Sequence, residues 1–389
     1  MKLDGQSTLV LGGGIAGLAA ALCLRRFGAD VTVLEQAPEI SEVGAGLQIS
    51  PNGVAVLRAL GLEAALARDA VRARAVVLRD YARTGEVLRL DLARLASGQG
   101  YYFVHRADLI DLLAGAAREA GVEIRLLQQV QRVEAGPDPV VHLPGGVTMT
   151  ADLVVGADGV HSCARGALGN ATDLFFTGQA AWRAVVAAAP GQPAEATVHM
   201  GPGRHLVSYP LRGGTLVNIV AVEERASWVA EGWHHRDDPE NLRAAFADFS
   251  GPAAELLGRV DDVGHWGLFR HPVAELWHEG RLAILGDAAH PTLPFMAQGA
   301  NMALEDAWVL ADSLSRAGTM ELGLAAYQAR RRDRVVRVVA AASGNAWKYH
   351  LRSAPVRGAA HLALKLGGAL APGRMVHQFN WIYGHDVTA

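Results

Sequence analysis

Three stretches of this 389-residue chain place glycine or a carboxylate at the end of an apolar run, where packing alone asks for neither. Ser7-Thr-Leu-Val-Leu11 leads straight into Gly12-Gly-Gly14-Ile-Ala16-Gly17. Leu153-Val-Val-Gly-Ala delivers Asp158-Gly159. Leu282-Ala-Ile-Leu-Gly286 delivers Asp287, followed by Ala-Ala-His-Pro291. The first stretch is G-x-G-x-x-G between strand and helix, and Glu35 ends a second strand about 20 residues on, the pattern of a dinucleotide site. Gly12 permits the tight turn, Gly14 lets backbone approach a pyrophosphate, and Gly17 lets helix pack close to strand. The helix N-terminus turns N–H groups and positive dipole toward the phosphates. Glu35 can accept hydrogen bonds from ribose hydroxyls, which favours a free 2′-hydroxyl, as in FAD or NAD, without separating those two. Asp158 reads either as part of a ligand-binding sheet edge or as the cap of the helix that follows.

The elements that must carry these groups come from the wider pattern. A length of 389 residues allows two domains, and 50% hydrophobic with 19% charged residues describes a soluble globular protein with a large core. A net charge of −3 points to no polyelectrolyte partner. Arg330, Arg331, Arg332, Arg334 and Arg337 fall mostly on one solvated helix face rather than forming a nucleic-acid patch. Cys23 and Cys163 make no disulfide framework, and neither they nor the histidines have metal-ligand spacing, so no metal is expected. No apolar run of about 18 residues occurs, and the chain enters a strand almost at once, so a cytoplasmic protein with no membrane segment is expected. Residues 171–270 read as strands until about Pro239, with a Gly213-Gly214 hairpin turn joining 205–211 to 215–222. The aromatic C-terminus, Phe379 to Asp386, should dock on the nucleotide domain or on a second copy, so the chain is a monomer or a homodimer. No second glycine-rich βαβ unit follows the first.

Taken in order, GGGIAG, GAGLQISPNG (44–53), HRADL (105–109), GADGVHSCAR (156–165) and GDAAHPTLPFMAQGANMALEDA (286–307) resemble the single-component FAD-dependent aromatic hydroxylases. These flavoprotein monooxygenases include the salicylate, 3-hydroxybenzoate and 6-hydroxynicotinate hydroxylases. The resemblance covers nearly the whole chain. It implies an α/β fold: a discontinuous Rossmann-like FAD-binding domain (1–70, 101–170, 271–345), an inserted, mainly antiparallel β-sheet substrate domain (71–100, 171–270) and a C-terminal helical segment (346–389). FAD would be met first by Gly12, Gly14, Ala16, Gly17, Glu35 and Gln36. Gly46, Leu47, Arg106, Val130 and Asp158 would follow, Arg106 at the pyrophosphate–ribityl region. Asp287, beside Gly286, would bind ribityl hydroxyls, Pro291 would lie beside the isoalloxazine, and Gly299, Ala300 and Asn301 would meet its pyrimidine end. The helix starting there would turn its positive end toward reduced flavin, with Glu305 and Asp306 on its outer face. NADH or NADPH would reduce the flavin, O2 would add at its C4a atom, and one oxygen would pass to a small aromatic ring.

Period two puts His205, Val207 and Tyr209 on one face of a strand, and the resemblance makes that face the wall of the substrate cavity. A histidine titrating near neutrality suits removal of a phenolic proton, and Tyr209 would assist; alternatively both are sheet residues with satisfied hydrogen bonds. Gln298 either contacts substrate or bonds the loop backbone, and Arg183, after Trp182, either contacts substrate or props the sheet. Two rival readings remain: a flavin monooxygenase acting on a polyketide, purine or quinone precursor, or a non-enzymatic FAD-binding redox sensor.

Overall fold

The computed structural model describes residues 3–40, 45–83, 85–170, 172–228 and 235–389; Gly44 of the GAGLQISPNG segment lies outside these. A six-stranded sheet has the order His278–Glu279, Leu282–Ile284, Leu153–Gly156, Ser7–Leu11, Asp30–Leu34, Glu123–Arg125. All its pairings are parallel except the 278–284 hairpin. Its middle strands are Val- and Leu-rich and buried because helices cover the sheet. Leu11 pairs with Gly156, and Gly156 with Ile284. The three apolar runs therefore end level, and all three motifs emerge along one edge.

The second sheet has eight strands, ordered Arg236–Asp237, Val263–Arg270, Phe175–Ala187, Leu216–Glu224, Arg204–Leu211, Glu195–Gly201, Ala75–Asp80, Glu86–Asp91. Only the contact between 195–201 and 75–80 is parallel. Alternation sorts its side chains by face. Trp182, Ala184, Leu206, Val217 and Ile219 pack on Leu242, Phe246 and Leu256 of two short helices. Ala181, Val220, Val222 and Trp266 turn the other way, toward Leu293 and Phe295 of the segment after Asp287. The inserted antiparallel sheet expected from sequence is present, and its second face meets the segment that follows Asp287.

Helix Gly299–Arg316 packs between Ile15–Arg26 and the 30-residue helix Met320–Tyr349. Two expectations fail in that packing. Glu305 and Asp306 are fully buried rather than on an outer face, and Arg331 is fully buried rather than solvated. Arg331 donates to Glu305 at 2.5 Å and to Asp306 at 2.7 Å, while Arg334 also reaches Glu305. The charges tolerate burial because each has a bonded opposite; helical-wheel reasoning saw each helix alone and missed the partner. The C-terminal aromatics dock on this same chain. Arg334 donates to the carbonyls of Trp381 and Ile382, Arg337 lies 4.1 Å from the Trp381 ring centre, and Tyr383 meets Tyr101 edge-on. Among the described residues no helix is long and apolar enough to cross a membrane.

Arg331→Ala should lower unfolding stability by about 3 kcal/mol in urea titrations, since two buried carboxylates lose the guanidinium they share, leaving Asp306 to His290 and Glu305 to Arg334. Burial alone would raise the Asp306 carboxyl, but His290 and Arg331 outweigh it and hold it at about 2, below its ordinary 3.8. A carboxyl lowered by folding adds stability that is complete above its unfolded value and fades as pH falls from there toward 2. The wild-type protein should therefore lose stability in that acid window, and Asp306→Asn should flatten this part of the profile.

Candidate active site

The glycine loop has the geometry its sequence demands. Gly12 has φ +103°, and a Cβ there would sit 2.5 Å from the Ala157 carbonyl oxygen; one on Gly17 would sit 1.9 Å from the Gly12 oxygen. At Gly14 a Cβ would meet nothing within 4 Å. The turn is thus closed on the protein side and open on the other, which is the shape a pyrophosphate needs. Glu35 accepts from Gly13 N–H at 2.6 Å and from Ala37 N–H at 2.8 Å, so its carboxylate is fixed against the loop where ribose hydroxyls would come, with Gln36 exposed beside it. Gly286 stands against Ala16, whose Cβ lies 2.9 Å from where a side chain would begin. The first and third motifs therefore touch.

Asp158 serves the start of the helix that follows it. It accepts from the Ser162 hydroxyl at 2.5 Å and from the Cys163 and Ala164 N–H groups, at the start of the short helix Cys163–Ala167. Val130 is drawn to this helix through its carbonyl, 3.6 Å from Cys163 Sγ. Arg165 lies within the same helix and was not singled out from sequence. It is buried and donates to the carbonyls of Ala288, Ala289 and Pro272, clamping the loop that carries Asp287 and Pro291. Its place in GADGVHSCAR was the available signal. Asp287 remains accessible to solvent although protein surrounds it, as on the floor of a cleft. That surrounding mass raises its carboxyl, and His290 and Arg106 oppose the rise, so Arg106 and Asp287 act across one space. His290 is buried and held by Asp306 at 2.5 Å.

A shelf of buried amides supports the remaining loop. Ser50 N–H donates to Asn301 Oδ1, Asn301 Nδ2 to the carbonyls of Gln48 and Ala297, and Asn52 Nδ2 to Gln298 Oε1 and Glu305. Gln298 Nε2 donates to the Ser50 hydroxyl at 3.0 Å. The Gln298 side chain is thus turned inward, with both ends of its amide engaged. Ala297 is held left-handed at φ 51°, ψ 39°, strain that this network maintains. Gly299 and Ala300 then open a helix that lacks a side-chain cap and has no acid in its first turn, and the same holds for the helix after Gly14. Two helix N-termini without side-chain caps, an open Gly14 and an accessible Asp287 together fit FAD.

On the sheet side, Leu47 and Gly46 lie in a strand against Tyr102–His105. Gly46 N–H donates to Asn218 Oδ1 at 2.7 Å, and a Cβ on Gly46 would strike the Tyr209 ring. Arg183 faces the cavity, 5.4 Å from the Trp266 ring centre, whereas Trp182 faces away and donates to Asp237. Burial raises the Tyr209 phenol and the Arg183 charge opposes it; in register Tyr209 lies opposite Asn218 at one end of the face, and Arg183 lies opposite Val220, level with its middle. Val207 packs beside Val220 at the middle, and His205 stands at the other end with Phe295 at 5.4 Å. His205 and Tyr209 are four residues apart, about 13 Å along a strand, and are not bonded to each other. The Nδ1 atom of His205 instead meets His350 at 2.7 Å, a residue sequence spacing could not have indicated.

Gly14→Val should fold with an unchanged melting temperature yet retain no flavin, whereas Gly17→Ala should lose both stability and flavin. Absorbance of bound flavin together with thermal melts separates the two; equal flavin content in Gly14→Val and wild type would falsify the assignment of the open side.

The family model described as FAD binding domain matches residues 6–342. The chain is 38% identical over 355 residues to the 3-amino-4-hydroxybenzoate 2-monooxygenase of Streptomyces cremeus, covering 89% of this chain and 88% of that one. It is 33% identical to 3-hydroxybenzoate 6-hydroxylase 1 of Aquipseudomonas alcaligenes over 98% of each. Among solved structures, Klebsiella pneumoniae HpxO complexed with FAD and uric acid superposes with TM-score 0.84 at 25% identity over 98% of both chains. A salicylate hydroxylase substrate complex has TM-score 0.82 at 24% identity, covering all of this chain and 97% of the other, which speaks for the fold. With the strand-tip motifs, the open glycine turn and these relatives in agreement, the chain belongs to the FAD-binding-domain family and is an FAD-dependent NAD(P)H monooxygenase of the aromatic hydroxylase kind.

Proposed function

We propose that the substrate is a small phenol bearing a carboxylate, a hydroxybenzoate or amino-hydroxybenzoate, and that the protein hydroxylates its ring in the cytoplasm. The observation that carries this reading is the distribution of polar groups over one sheet face. An apolar middle of Val207, Val220 and Val222, roofed by Leu293 and Phe295, suits a flat ring. His205 stands at one end. At the other are the Tyr209 hydroxyl and Asn218, whose buried Nδ2 has no hydrogen-bond partner among the described residues, and Arg183 stands level with the middle, opposite Val220. Tyr209 and Asn218 at one end, with the Arg183 charge on the same face, offer donors to a carboxylate, and a neutral imidazole at the opposite end matches a phenol.

Bound FAD supplies the redox chemistry, taking electrons from NAD(P)H and activating O2. The residues of the chain do the rest. Arg106, Asp287 and the two helix N-termini hold the cofactor. Pro291 and the 297–301 backbone would support its ring, and the apolar face would exclude water from the reacting atoms. His205 takes the phenolic proton, which raises electron density in the ring. Tyr209 assists by orienting the acid with Arg183 rather than by taking a proton from His205.

Offered 3-amino-4-hydroxybenzoate, 3-hydroxybenzoate, salicylate, 6-hydroxynicotinate and urate, the FAD-loaded protein should oxidise NADH or NADPH and yield an oxygenated product from a carboxylated phenol, read by mass spectrometry. Oxygenation of urate alone would overturn the reading. His205→Ala should reduce hydroxylation on the order of 100-fold. Arg183→Gln should mainly raise KM, about tenfold, as expected for loss of a charge-assisted hydrogen bond to the acid.

A further inference from the structure

The partner of His205 opens a path to the surface. His205 Nδ1 lies 2.7 Å from His350 Nε2, and His350 Nδ1 lies 3.1 Å from Glu224 Oε1. Arg352 Nη2 donates to the other Glu224 oxygen at 2.6 Å. The string runs outward, for His205 and His350 are buried while the Glu224 and Arg352 side chains are 35% and 69% exposed. Backbone bonds hold it in place. Gly203 N–H donates to the His350 carbonyl at 3.1 Å, and Glu224 N–H donates to the Gly203 carbonyl at 2.9 Å. The C-terminal end of helix Met320–Tyr349 is thereby docked on the hairpin that carries His205.

Donor and acceptor matching gives this string one direction. A carboxylate only accepts, so His350 must offer Glu224 its Nδ1–H. A neutral His350 then has a lone pair at Nε2, and His205 must offer it Nδ1–H in turn. That leaves the His205 Nε2 lone pair as the ring's remaining site, the atom a base requires. Burial favours the neutral form of both rings: it lowers His205, with His350 adding to the effect, and it lowers His350 against the opposing pull of Glu224. The titratable and charged groups around the pair are Glu224 on its strand, Arg352 just past the long helix, and Tyr349 within it, 5.4 Å from His205 by ring centres. The segment after Asp287 contributes the uncharged Phe295 ring.

We propose that His205, His350 and Glu224 form a proton relay that carries the substrate's phenolic proton to solvent, with Glu224 fixing the tautomer that makes His205 a base. The proposal rests on the reading of His205 as the base given above. The substrate O–H proton passes to His205 Nε2, the His205 Nδ1 proton to His350 Nε2, and the His350 Nδ1 proton to Glu224, which gives it to water. One proton enters, one leaves, and nothing is oxidised. Without the relay an imidazolium would be stranded in an apolar, buried site, where charge is disfavoured.

Hydroxylation of 3-amino-4-hydroxybenzoate by FAD-loaded wild type, Glu224→Gln, His350→Phe and His205→Ala is compared from mildly acidic to alkaline pH. Glu224→Gln and His350→Phe should run about 10- to 100-fold slower near neutrality. Both should recover as pH rises through the phenol's own ionisation, because the substrate then arrives without its proton. No loss in either variant, or an equal loss at every pH, overturns the relay. If His205→Ala keeps the wild-type rate and profile, the base reading itself fails. If His205→Ala is impaired and the other two behave as wild type, only the relay fails. A second readout needs no turnover: 15N NMR of labelled histidines in the FAD-loaded protein should show His205 and His350 as Nδ1–H tautomers, with His205 released from that tautomer in His350→Phe. The opposite tautomer in wild type refutes the proposal.

Discussion

Parallel pairing of Ser7–Leu11, Leu153–Gly156 and Leu282–Ile284 in one register is the constraint on which everything else in this molecule rests. Because the strands end level, the turns that follow them crowd into one strip of the sheet edge. Crowding explains the composition of those turns. Gly12 would collide with Ala157, Gly17 with Gly12, and Gly286 with Ala16 if any of them had a side chain. Shifting one strand by a single residue would reverse its faces and separate the motifs. The nucleotide site is therefore a property of the sheet rather than of any single loop.

Rigidity around that strip comes from buried polar groups. Arg165 grips the loop after Asp287 by two carbonyls and ties it to the Pro272 carbonyl, and Ser50, Asn52, Gln298 and Asn301 bond the 45–53 segment to the start of helix Gly299–Arg316. Behind them Glu305, Asp306, Arg331 and Arg334 neutralise one another, and Asp306 reaches forward to His290. Such a network adds little stability over an apolar core, but it is intolerant of deletion and favours one arrangement of the loops. A flat cofactor ring laid against backbone needs that uniqueness more than it needs extra stability.

The eight-stranded sheet divides its labour by alternation. Odd and even residues of Phe175–Ala187, Leu216–Glu224 and Arg204–Leu211 send bulk to the two helices behind and a mixed apolar and polar set toward Leu293 and Phe295. Trp182 and Arg183 show the rule at its smallest scale, adjacent residues with unrelated surroundings. Docking of the long helix across this sheet brings His350 to His205 and links the cavity wall to the surface.

Much of this was legible in the sequence, because the deciding physics is local there. A strand followed by G-x-G-x-x-G, an acid at the end of the next strand and a hairpin between alternating runs each depend on residues a few positions apart, and each is found where expected. Glu35, the glycine turn and the faces of the 205–211 strand follow from that kind of pattern. Other features were decided only when distant elements packed. Glu305, Asp306 and Arg331 have the polarity of surface residues, and only pairing across two helices makes their burial tolerable. The inward turn of Gln298 and the clamp of Arg165 also emerged from tertiary neighbours. His350 lies 145 residues from His205, and no spacing rule reaches across such a gap; only the folded chain brings the two imidazoles together.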